Sequence, residues 1–474
     1  MADQENRAGL LSGGQVSRRE ILKKGLIGAA GLTVLPAVIA ACSSSSTATS
    51  TPAAPVATPA GATPPPAATP AAATGKVTLG SNLSDATPKA ALAAAVAAFN
   101  VANPGITVTT NTIDHNTFQT TLNTYLGATP EDVITWFSGY RMRAFADQGL
   151  FVDISDLWAG ATGKLYTDAV KTACTSYDGK QYMIPFDTYA WTVYYVPSLW
   201  KAKGYTVPTT LADFKTLAAK MKNDGIVPIG LGQKDGWPAM GTFDIIDLRE
   251  NGYQFHVDLM AGKNKWTDPK VANVFNVWKD LLPYYQTGAA GRNWQDAVNG
   301  LLAKTTGMML QPQAVQVAIE LEKTKPGTLA DLDFFSWPGH GKGFDDEAAL
   351  DAPIDGFMLA KNSPNLAADT ASAKTLLAFF GLGATQGIYA KADSSLIAVA
   401  SDADTSGYTA LQKKQVAVIG AAKKLTQFLD RDSNPAFTGP NGMGSFLIDF
   451  LSKPDQDLTP FLAKIQAFQD SLGS

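Results

Sequence analysis

Apolar residues from position 76 onward follow two patterns: short runs typical of strands, and longer stretches in which they recur every three or four positions. The short runs predict strands at residues 76–80, 106–109, 132–136, 181–185, 192–195, 226–231 and 356–360. The helical spacing predicts helices at residues 88–103, 117–127, 140–148, 211–223, 270–285, 294–303, 313–323 and 367–381. Thr87 is the predicted N-cap of the first helix, because Pro88 suits a first helical position.

The first elements alternate as strand, helix, strand, helix and strand, which is typical of an α/β protein. This order predicts mainly parallel sheets flanked by helices, with ligands bound beyond the carboxyl ends of the strands. Residues 76–474 are more than one hydrophobic core normally accommodates, so we expect two lobes.

The N-terminal segment has a different pattern, in which paired arginines at residues 18–19 precede an uncharged run at residues 25–41 and then Cys42. Paired arginines before a Gly/Ala-rich apolar run are typical of a twin-arginine export signal. Residues 39–42 resemble the processing box of bacterial lipoproteins, in which the cysteine carries the lipid. A transmembrane anchor is the alternative, although the run is slightly short for a bilayer core of about 30 Å.

Residues 43–75 are almost wholly Ser, Thr, Ala and Pro and carry no charge. Such a composition cannot bury enough apolar surface to offset the entropy of ordering the chain. It predicts a disordered tether that separates a membrane anchor from the folded body.

Composition narrows the function further. The chain has 38 Lys and Arg against 42 Asp and Glu, a formal net charge of −4 at pH 7, and this acidic balance argues against nucleic acid as a partner. With Cys42 lipidated, Cys174 has no partner for a disulfide. The three histidines lie far apart, without the spacing of a zinc site, so we expect neither a metal nor another cofactor.

Six blocks, in order along residues 76–474, resemble the extracellular solute-binding proteins of ABC importers, specifically the carbohydrate-binding family that includes maltose-binding protein. They lie at residues 99–108, 132–154, 178–195, 225–238, 307–310 and 355–357. The resemblance implies two α/β lobes joined by a hinge, with the ligand enclosed between them and the closed form recognised by permease subunits.

The domain organisation that follows is a signal peptide at residues 1–42 and a tether at residues 43–75. Lobe 1 is expected to comprise residues 76–186 plus about 354–400, and lobe 2 residues 187–353 plus about 401–474. The chain is expected to cross between the lobes near residues 185–192 and 353–356. We expect a monomer on the outer face of the cytoplasmic membrane.

A sugar presents apolar C–H faces and a ring of hydroxyls, so its site should combine flat aromatic rings with planar carboxylates or amides. Trp136 ends a predicted strand, and Trp237 lies in a Gly-rich loop expected at residues 232–241. Trp294 opens a helix where the resemblance implies a cleft residue. Each tryptophan could instead be a core residue.

The polar candidates lie at strand ends and at the predicted crossings. They are Asn82, Asp187, Gln311 and Asp355, and the two aspartates could instead brace the hinge. Arg141 is more typical of a solvated helix face. If it points into the cleft, it favours an acidic or phosphorylated ligand, because guanidinium groups match carboxylates and phosphates.

These patterns favour a binding protein that captures a sugar or oligosaccharide, rather than an enzyme. No hydrolase elbow, phosphate loop or metalloprotease helix occurs in the sequence. An exported glycosidase, a receptor for a non-sugar solute and a sensor are the alternatives that the sequence leaves open.

Overall fold

The computed structural model describes residues 74–439 and 441–472. The predicted signal peptide, Cys42 and the tether up to residue 73 lie outside the described residues. The first strand begins at Gly75, the last residue of the predicted tether. Within residues 74–472, leaving out residue 440, no helix is both long enough and apolar enough to cross a membrane.

The strands form two main sheets and one small sheet. The six-stranded sheet has the order β11-β4-β10-β3-β1-β2, the four-stranded sheet β6-β7-β5-β8, and β9 pairs with β12. The strands are β1 Gly75–Ser81, β2 Ile106–Thr112, β3 Val133–Phe137, β4 Met183–Thr188, β5 Thr192–Tyr195, β6 Val227–Ile229, β7 Thr306–Gln311, β8 Asp333–Phe335, β9 Leu350–Asp351, β10 Ile354–Leu359, β11 Ile397–Ala398 and β12 Leu425–Thr426.

Helices pack against the sheets in both lobes. The α-helices are Ala86–Ala102, His115–Gly127, Tyr140–Asp147, Ser155–Ala159, Asp168–Ala173, Pro197–Lys203, Leu211–Asn223, Pro238–Glu250, Gly252–Met260, Pro269–Leu281, Trp294–Leu302, Ala314–Glu322, Leu366–Phe380, Gly383–Ala392, Ala410–Ala421, Leu429–Asp432, Pro435–Thr438, Met443–Ser452 and Leu458–Ser471. Short 3-10 turns lie at Thr162–Leu165, Leu282–Tyr284, Ala289–Gly291 and Asp345–Glu347.

The strand directions are more mixed than the sequence predicts. β1 runs parallel to β2 and β3, as the β-α-β pattern requires. In contrast, β10 is antiparallel to β3 and β4, and β11 is antiparallel to β4. In the second sheet β6 is parallel to β7, whereas β5 is antiparallel to both neighbours. The prediction of mainly parallel sheets is therefore wrong, because only β1–β3 and the pair β6–β7 are parallel, and the other strand pairs of the two main sheets are antiparallel.

Two large hydrophobic cores correspond to the two lobes. Buried residues from 77 to 189 and from 357 to 400 pack together around the six-stranded sheet. Buried residues from 191 to 349 and from 411 to 465 pack around the four-stranded sheet. The chain passes from the first core to the second between Tyr189 and Trp191 and returns to the first between Ala349 and Phe357. It enters the second core again after residue 400.

Two local predictions are wrong. The first helix begins at Ala86, with Asp85 at the N-cap, and Thr87 donates instead to Glu320 Oε1 in the other lobe, at 2.7 Å. Pro88 is tolerated within that first turn, because the N–H groups there have no intrahelical partner. The expected Gly-rich loop up to residue 241 is partly helical, since the helix Pro238–Glu250 includes its last residues and is buried on every side.

Candidate functional site

A cavity of about 270 Å³ lies between the two lobes. Its first-lobe wall comes from residues at or beyond the ends of β1 and β3, together with β4 and β10. Its second-lobe wall comes from the starts of the helices Pro238–Glu250 and Trp294–Leu302, and from the segment at residues 428–431. The ends of parallel strands and the starts of helices supply such sites because backbone and side-chain groups converge there.

Three tryptophan rings form the apolar part of the second-lobe wall. Trp237 lies edge-on to Trp191, with ring centroids 5.9 Å apart, and its centroid is 6.1 Å from that of Trp294. Trp191 and Trp294 are buried, whereas Trp237 is only half-buried. A Cβ atom at position 241 would lie 2.3 Å from the Trp191 ring, so a glycine is needed there for the helix to approach. Trp237 therefore presents the most accessible of the three rings.

A carboxylate pair lies on the opposite wall, where β4 and β10 are adjacent. Asp187 and Asp355 face each other in the strand register, and both are largely buried. Arg431 forms an ion pair with Asp355. Burial, and then the charge of Asp355, raise the pKa of Asp187 well above its usual range. Asp187 is thus the member of the pair that takes up a proton more readily, since Arg431 neutralises Asp355.

The segment that carries Arg431 is held in an unusual backbone conformation. Phe428 has φ +70° and ψ 156°, a region that is essentially restricted to glycine. Arg431 extends from this segment over the Phe137 ring, with its guanidinium carbon 3.7 Å from the ring centroid. A second-lobe segment therefore reaches across to the first lobe and forms part of the cavity wall.

Five buried polar atoms of the cavity-lining residues have no hydrogen-bond partner among the described residues. They are Asp187 Oδ1, Trp191 Nε1, Asp235 Oδ2, Tyr389 Oη and Arg431 Nε. Buried polar groups in folded proteins are nearly always hydrogen-bonded. The set comprises both donors and acceptors, so it matches a ligand with several hydroxyl groups.

The charge of the cavity wall is strongly acidic. Within the described part of the chain, six carboxylates and two cationic side chains line it, and they are Asp85, Asp114, Asp187, Asp235, Asp355 and Asp430, with Lys234 and Arg431. Burial, and then the charge of Arg431, lower the pKa of His115 to about 4, so this ring is neutral at pH 7. The wall therefore disfavours a free anion.

Six of the eight residues that the sequence predicts for the site line this cavity, and they are Asn82, Trp136, Asp187, Trp237, Trp294 and Asp355. Asn82 is buried, and its Oδ1 accepts from Thr135 Oγ1 at 2.7 Å. The Trp136 ring stacks on Phe137 at a centroid distance of 4.5 Å and is only 1% exposed. Its position is that of a core residue which supports Phe137 from behind.

The other two predicted residues do not line the cavity. Gln311 is fully buried at the end of β7, where it pairs with Thr192. Arg141 is buried as well, and its Nη2 donates to Asp430 Oδ1 at 2.6 Å. Its Nε donates to the Asp430 carbonyl and its Nη1 to Gln119 Oε1. The expectation of a solvated Arg141 is wrong, and its donors are already occupied, so it joins the two lobes rather than offering an anion site.

Several cavity residues were absent from the sequence-based prediction, and they are His115, Tyr189, Trp191, Asp235, Tyr389, Phe428, Asp430 and Arg431. All of them lie outside the predicted helices and strands, although Tyr189, Trp191 and Asp235 fall within the blocks that carry the family resemblance. The scarcity of arginine after residue 42 was the available signal for Arg431. Arg431 stands between Asp430 and Asp432 in the chain, and arginine is the cation best suited to buried ion pairs.

Comparison with known proteins identifies one family of binding proteins and several similar members. Residues 83–382 match the model of the family described as bacterial extracellular solute-binding protein. An ABC transporter extracellular-binding protein of Pyrococcus horikoshii is 22% identical over 301 residues, which cover 63% of this chain and 65% of the relative. The α-glucosides-binding periplasmic protein AglE of Rhizobium meliloti is 23% identical over 406 residues, covering 81% of this chain and 84% of AglE.

Solved structures give the same architecture. The bacterial solute receptor AcbH, described as having an exclusive substrate preference for β-D-galactopyranose, is 39% identical, with a TM-score of 0.78 and coverage of 84% of this chain and 98% of AcbH. A chitin oligosaccharide binding protein is 19% identical, with a TM-score of 0.73 and coverage of 84% and 98%. The two-lobed α/β fold that the sequence predicts is confirmed, and the chain belongs to the bacterial extracellular solute-binding protein family.

Proposed function

We propose that this protein binds one neutral pyranose sugar between its lobes and delivers it to an ABC importer. Family membership makes the chain a solute-binding protein, and relatives include binding proteins of ABC transporters. The observation that carries the choice of ligand is that one interlobe cavity combines three tryptophan rings with five buried polar atoms lacking partners in the described residues.

The two kinds of group match the two surfaces of a sugar. The half-buried Trp237 ring stacks on a C–H face, while Trp191 and Trp294 hold that ring in place. Asp187 accepts hydrogen bonds from adjacent hydroxyls, and Arg431 Nε donates to a hydroxyl or ring oxygen. A ligand that left these buried atoms unpaired would lose affinity, so the site selects for hydroxyl-rich solutes.

The size of the cavity favours a single sugar ring. Its volume of about 270 Å³ falls just below the roughly 300–1,000 Å³ of typical small-molecule sites. AcbH, the 39% identical relative, is described as preferring a monosaccharide in the pyranose form. We therefore infer a hexopyranose of the galactose type rather than a long oligosaccharide. The acidic wall disfavours the phosphorylated or carboxylated ligand that the sequence left open.

Isothermal titration calorimetry tests this assignment. The panel is D-galactose, D-glucose, D-xylose, galactosamine, lactose, a maltooligosaccharide, glucose 6-phosphate and glutamate. We expect one binding site with D-galactose as the tightest ligand, and weaker or absent binding of both anions. Binding only of an anion, or only of the maltooligosaccharide, would contradict the proposal. Nuclear magnetic resonance of the recovered sugar should show that it is unchanged, since we propose binding without catalysis. Conversion of the sugar into another product would favour the glycosidase alternative.

We further propose that the paired arginines direct export and that Cys42 carries the lipid. The family description, an extracellular binding protein, supports a location outside the cytoplasm. Cys42→Ser should move the protein from the membrane fraction to the soluble fraction or the medium, because the lipid is the proposed anchor. Continued membrane association of this variant would instead favour an anchor formed by the uncharged run at residues 25–41.

Direct contacts between the lobes support closure as the signal to the importer. Asn116 donates to Asp235 at 3.0 Å, and Gln295 donates to Asp85 at 3.3 Å, so both lobes contribute to bonds at the cavity rim. Uptake of labelled galactose should cease when the gene is deleted. Normal uptake together with a lost transcriptional response to galactose would favour the sensor alternative.

A further inference from the structure

A buried polar cluster lies in the second lobe, outside the sugar cavity. It consists of Asp244 in the helix Pro238–Glu250, His256 in the helix Gly252–Met260, and Asp351 in β9. All three residues are 0% exposed. One nitrogen or oxygen atom from each lies within 4.8 Å of the other two. Two carboxylates and an imidazole therefore converge on one point in the protein interior.

The converging atoms lack partners. Asp244 Oδ1, His256 Nε2 and Asp351 Oδ2 each have no hydrogen bond to any residue in 74–439 or 441–472. The opposite atom of each group is occupied. Asp244 Oδ2 accepts from the Leu429 N–H at 2.6 Å, and Asp351 Oδ1 accepts from Thr426 Oγ1. The three groups are thus held in place, and their free atoms face a common centre. Because buried polar atoms are normally paired, this centre is expected to hold a bound ion or water molecule.

The geometry points to a bound divalent metal ion of the zinc class, and we propose that Asp244, His256 and Asp351 are its protein ligands. One imidazole nitrogen with carboxylate oxygens is a donor set typical of zinc and its first-row neighbours. Calcium and magnesium prefer sites composed of oxygen ligands. The proposal is independent of the sugar, and it revises the expectation of no metal, which rested on histidine spacing in the sequence alone.

The second hydrogen-bond shell matches that of a metal-bound histidine. His256 Nδ1 lies 2.9 Å from Asp247 Oδ2, which directs the Nε2 lone pair toward the cluster centre when Nδ1 carries the proton. A carboxylate behind the imidazole is the arrangement commonly seen at protein zinc sites.

The distances fit an ion only after the ligand atoms move closer together. In a tetrahedral site with bonds of about 2.1 Å the ligand atoms lie roughly 3.4 Å apart, so the 4.0 Å between His256 Nε2 and Asp244 Oδ1 requires a contraction of about 0.6 Å. The limit of 4.8 Å on all three separations requires a contraction of at most about 1.4 Å. The same span also suits a buried water molecule, which is the alternative that the experiment must separate.

The consequence of the ion would be structural. Asp244 and Asp351 both hold the segment that begins at β12 and carries Phe428 and Arg431 into the cavity wall. Phe428 has a strained backbone, which persists only where the surroundings impose it. An ion at the cluster would tie two helices and β9 together directly behind this segment. Full burial implies that the ion is acquired during folding and exchanges slowly.

Elemental analysis of the full chain, expressed without an affinity tag and purified without chelator, tests the proposal. We expect about one first-row metal ion per chain after dialysis against EDTA. Protein unfolded in guanidinium with 1,10-phenanthroline and then refolded should melt several degrees lower without added Zn²⁺ than with it. Less than one tenth of an ion per chain and no Zn²⁺-dependent shift would overturn the proposal and assign the centre to water. Stoichiometric calcium or magnesium would overturn the metal class.

Variants locate the ion. His256→Gln and Asp351→Asn should reduce the bound metal at least tenfold. His340→Gln is the matched control, because His340 is also a largely buried histidine but both of its ring nitrogens have partners, Glu250 and Trp337. This control should retain the metal. If either cluster variant fails to fold, the wild-type metal content and the refolding shift still decide the question. Metal retained in both folded cluster variants would place it elsewhere.

Discussion

The accessible face of Trp237 gives the sharpest test of the proposed site. Its ring is half-buried and contacts Trp191 and Trp294, so truncation removes one cavity-facing surface without opening the centre of the core. Stacking a sugar on one ring face removes roughly 80 Å² of apolar surface from water, worth about 2 kcal/mol at about 25 cal/mol per Å². Trp237→Ala should therefore weaken D-galactose binding about 30-fold.

Calorimetry measures the change, with circular dichroism to verify folding. Trp237→Phe should recover most of the affinity, since phenylalanine keeps a flat apolar face. Tyr177→Ala is the control, because Tyr177 is 65% exposed and lies outside the cavity lining, and it should leave the dissociation constant unchanged. A folded Trp237→Ala protein that binds within threefold of the wild type would refute the stacking argument.

The remaining predictions concern the ion pair, the carboxylate pair and helix packing. Arg431→Met should lower the free energy of unfolding by about 3–5 kcal/mol in urea titrations, because Asp355 is left buried and unpaired. Adding Asp355→Asn should restore at least half of that loss, and simple additivity of the two losses would contradict the coupling. Galactose affinity should fall as pH falls through the raised pKa of Asp187, because the ionised carboxylate accepts a stronger, charge-assisted hydrogen bond from a hydroxyl than its protonated form does. Asp187→Asn should bind more weakly than the ionised wild type and without this pH dependence, and a rise in wild-type affinity in acid would contradict the role of the carboxylate. Gly241→Ala should cost about 1–3 kcal/mol by overpacking a buried indole. Gly387→Ala, also within a helix but with open space at its Cβ, should melt no lower than the wild type, because alanine favours the helix over glycine. A Gly241→Ala protein that melts at the wild-type temperature would exclude the clash.

Periodicity predicted the elements that have one buried face. The helix Leu211–Asn223 has the predicted bounds, because its buried residues recur every three or four positions between charged ones. The helix Pro238–Glu250 was missed for the opposite reason. It is buried on all sides and carries Asp244 and Asp247 inside the protein, so its sequence has no polar face to mark the period. The directions of the strands could not be predicted from the sequence pattern either, because they depend on the route by which the chain returns to the sheet.

The candidate site was predicted where it coincides with strand ends and lobe crossings. Asp187 and Asp355 were found because both lie next to crossings, and β4 and β10 then bring them side by side. Trp136 was selected for its place at a strand end, but a period of two places a residue on one face without indicating what covers that face. Phe137 covers its ring. Arg431 lies 76 residues beyond its partner Asp355 in the chain, and no local pattern links the two.

The sequence by itself determined the α/β class, the two-lobed family and the general location of a ligand site. It also predicts the export signal and the tether, because charge, composition and local periodicity are properties of consecutive residues. Only the tertiary structure decided which side chains meet. It brought Arg431 to Asp355, occupied the donors of Arg141, and gathered Asp244, His256 and Asp351 from separate segments. Burial then gave these contacts their chemical meaning, because the cost of an unpaired charge or polar atom depends on its distance from water, which no linear pattern records.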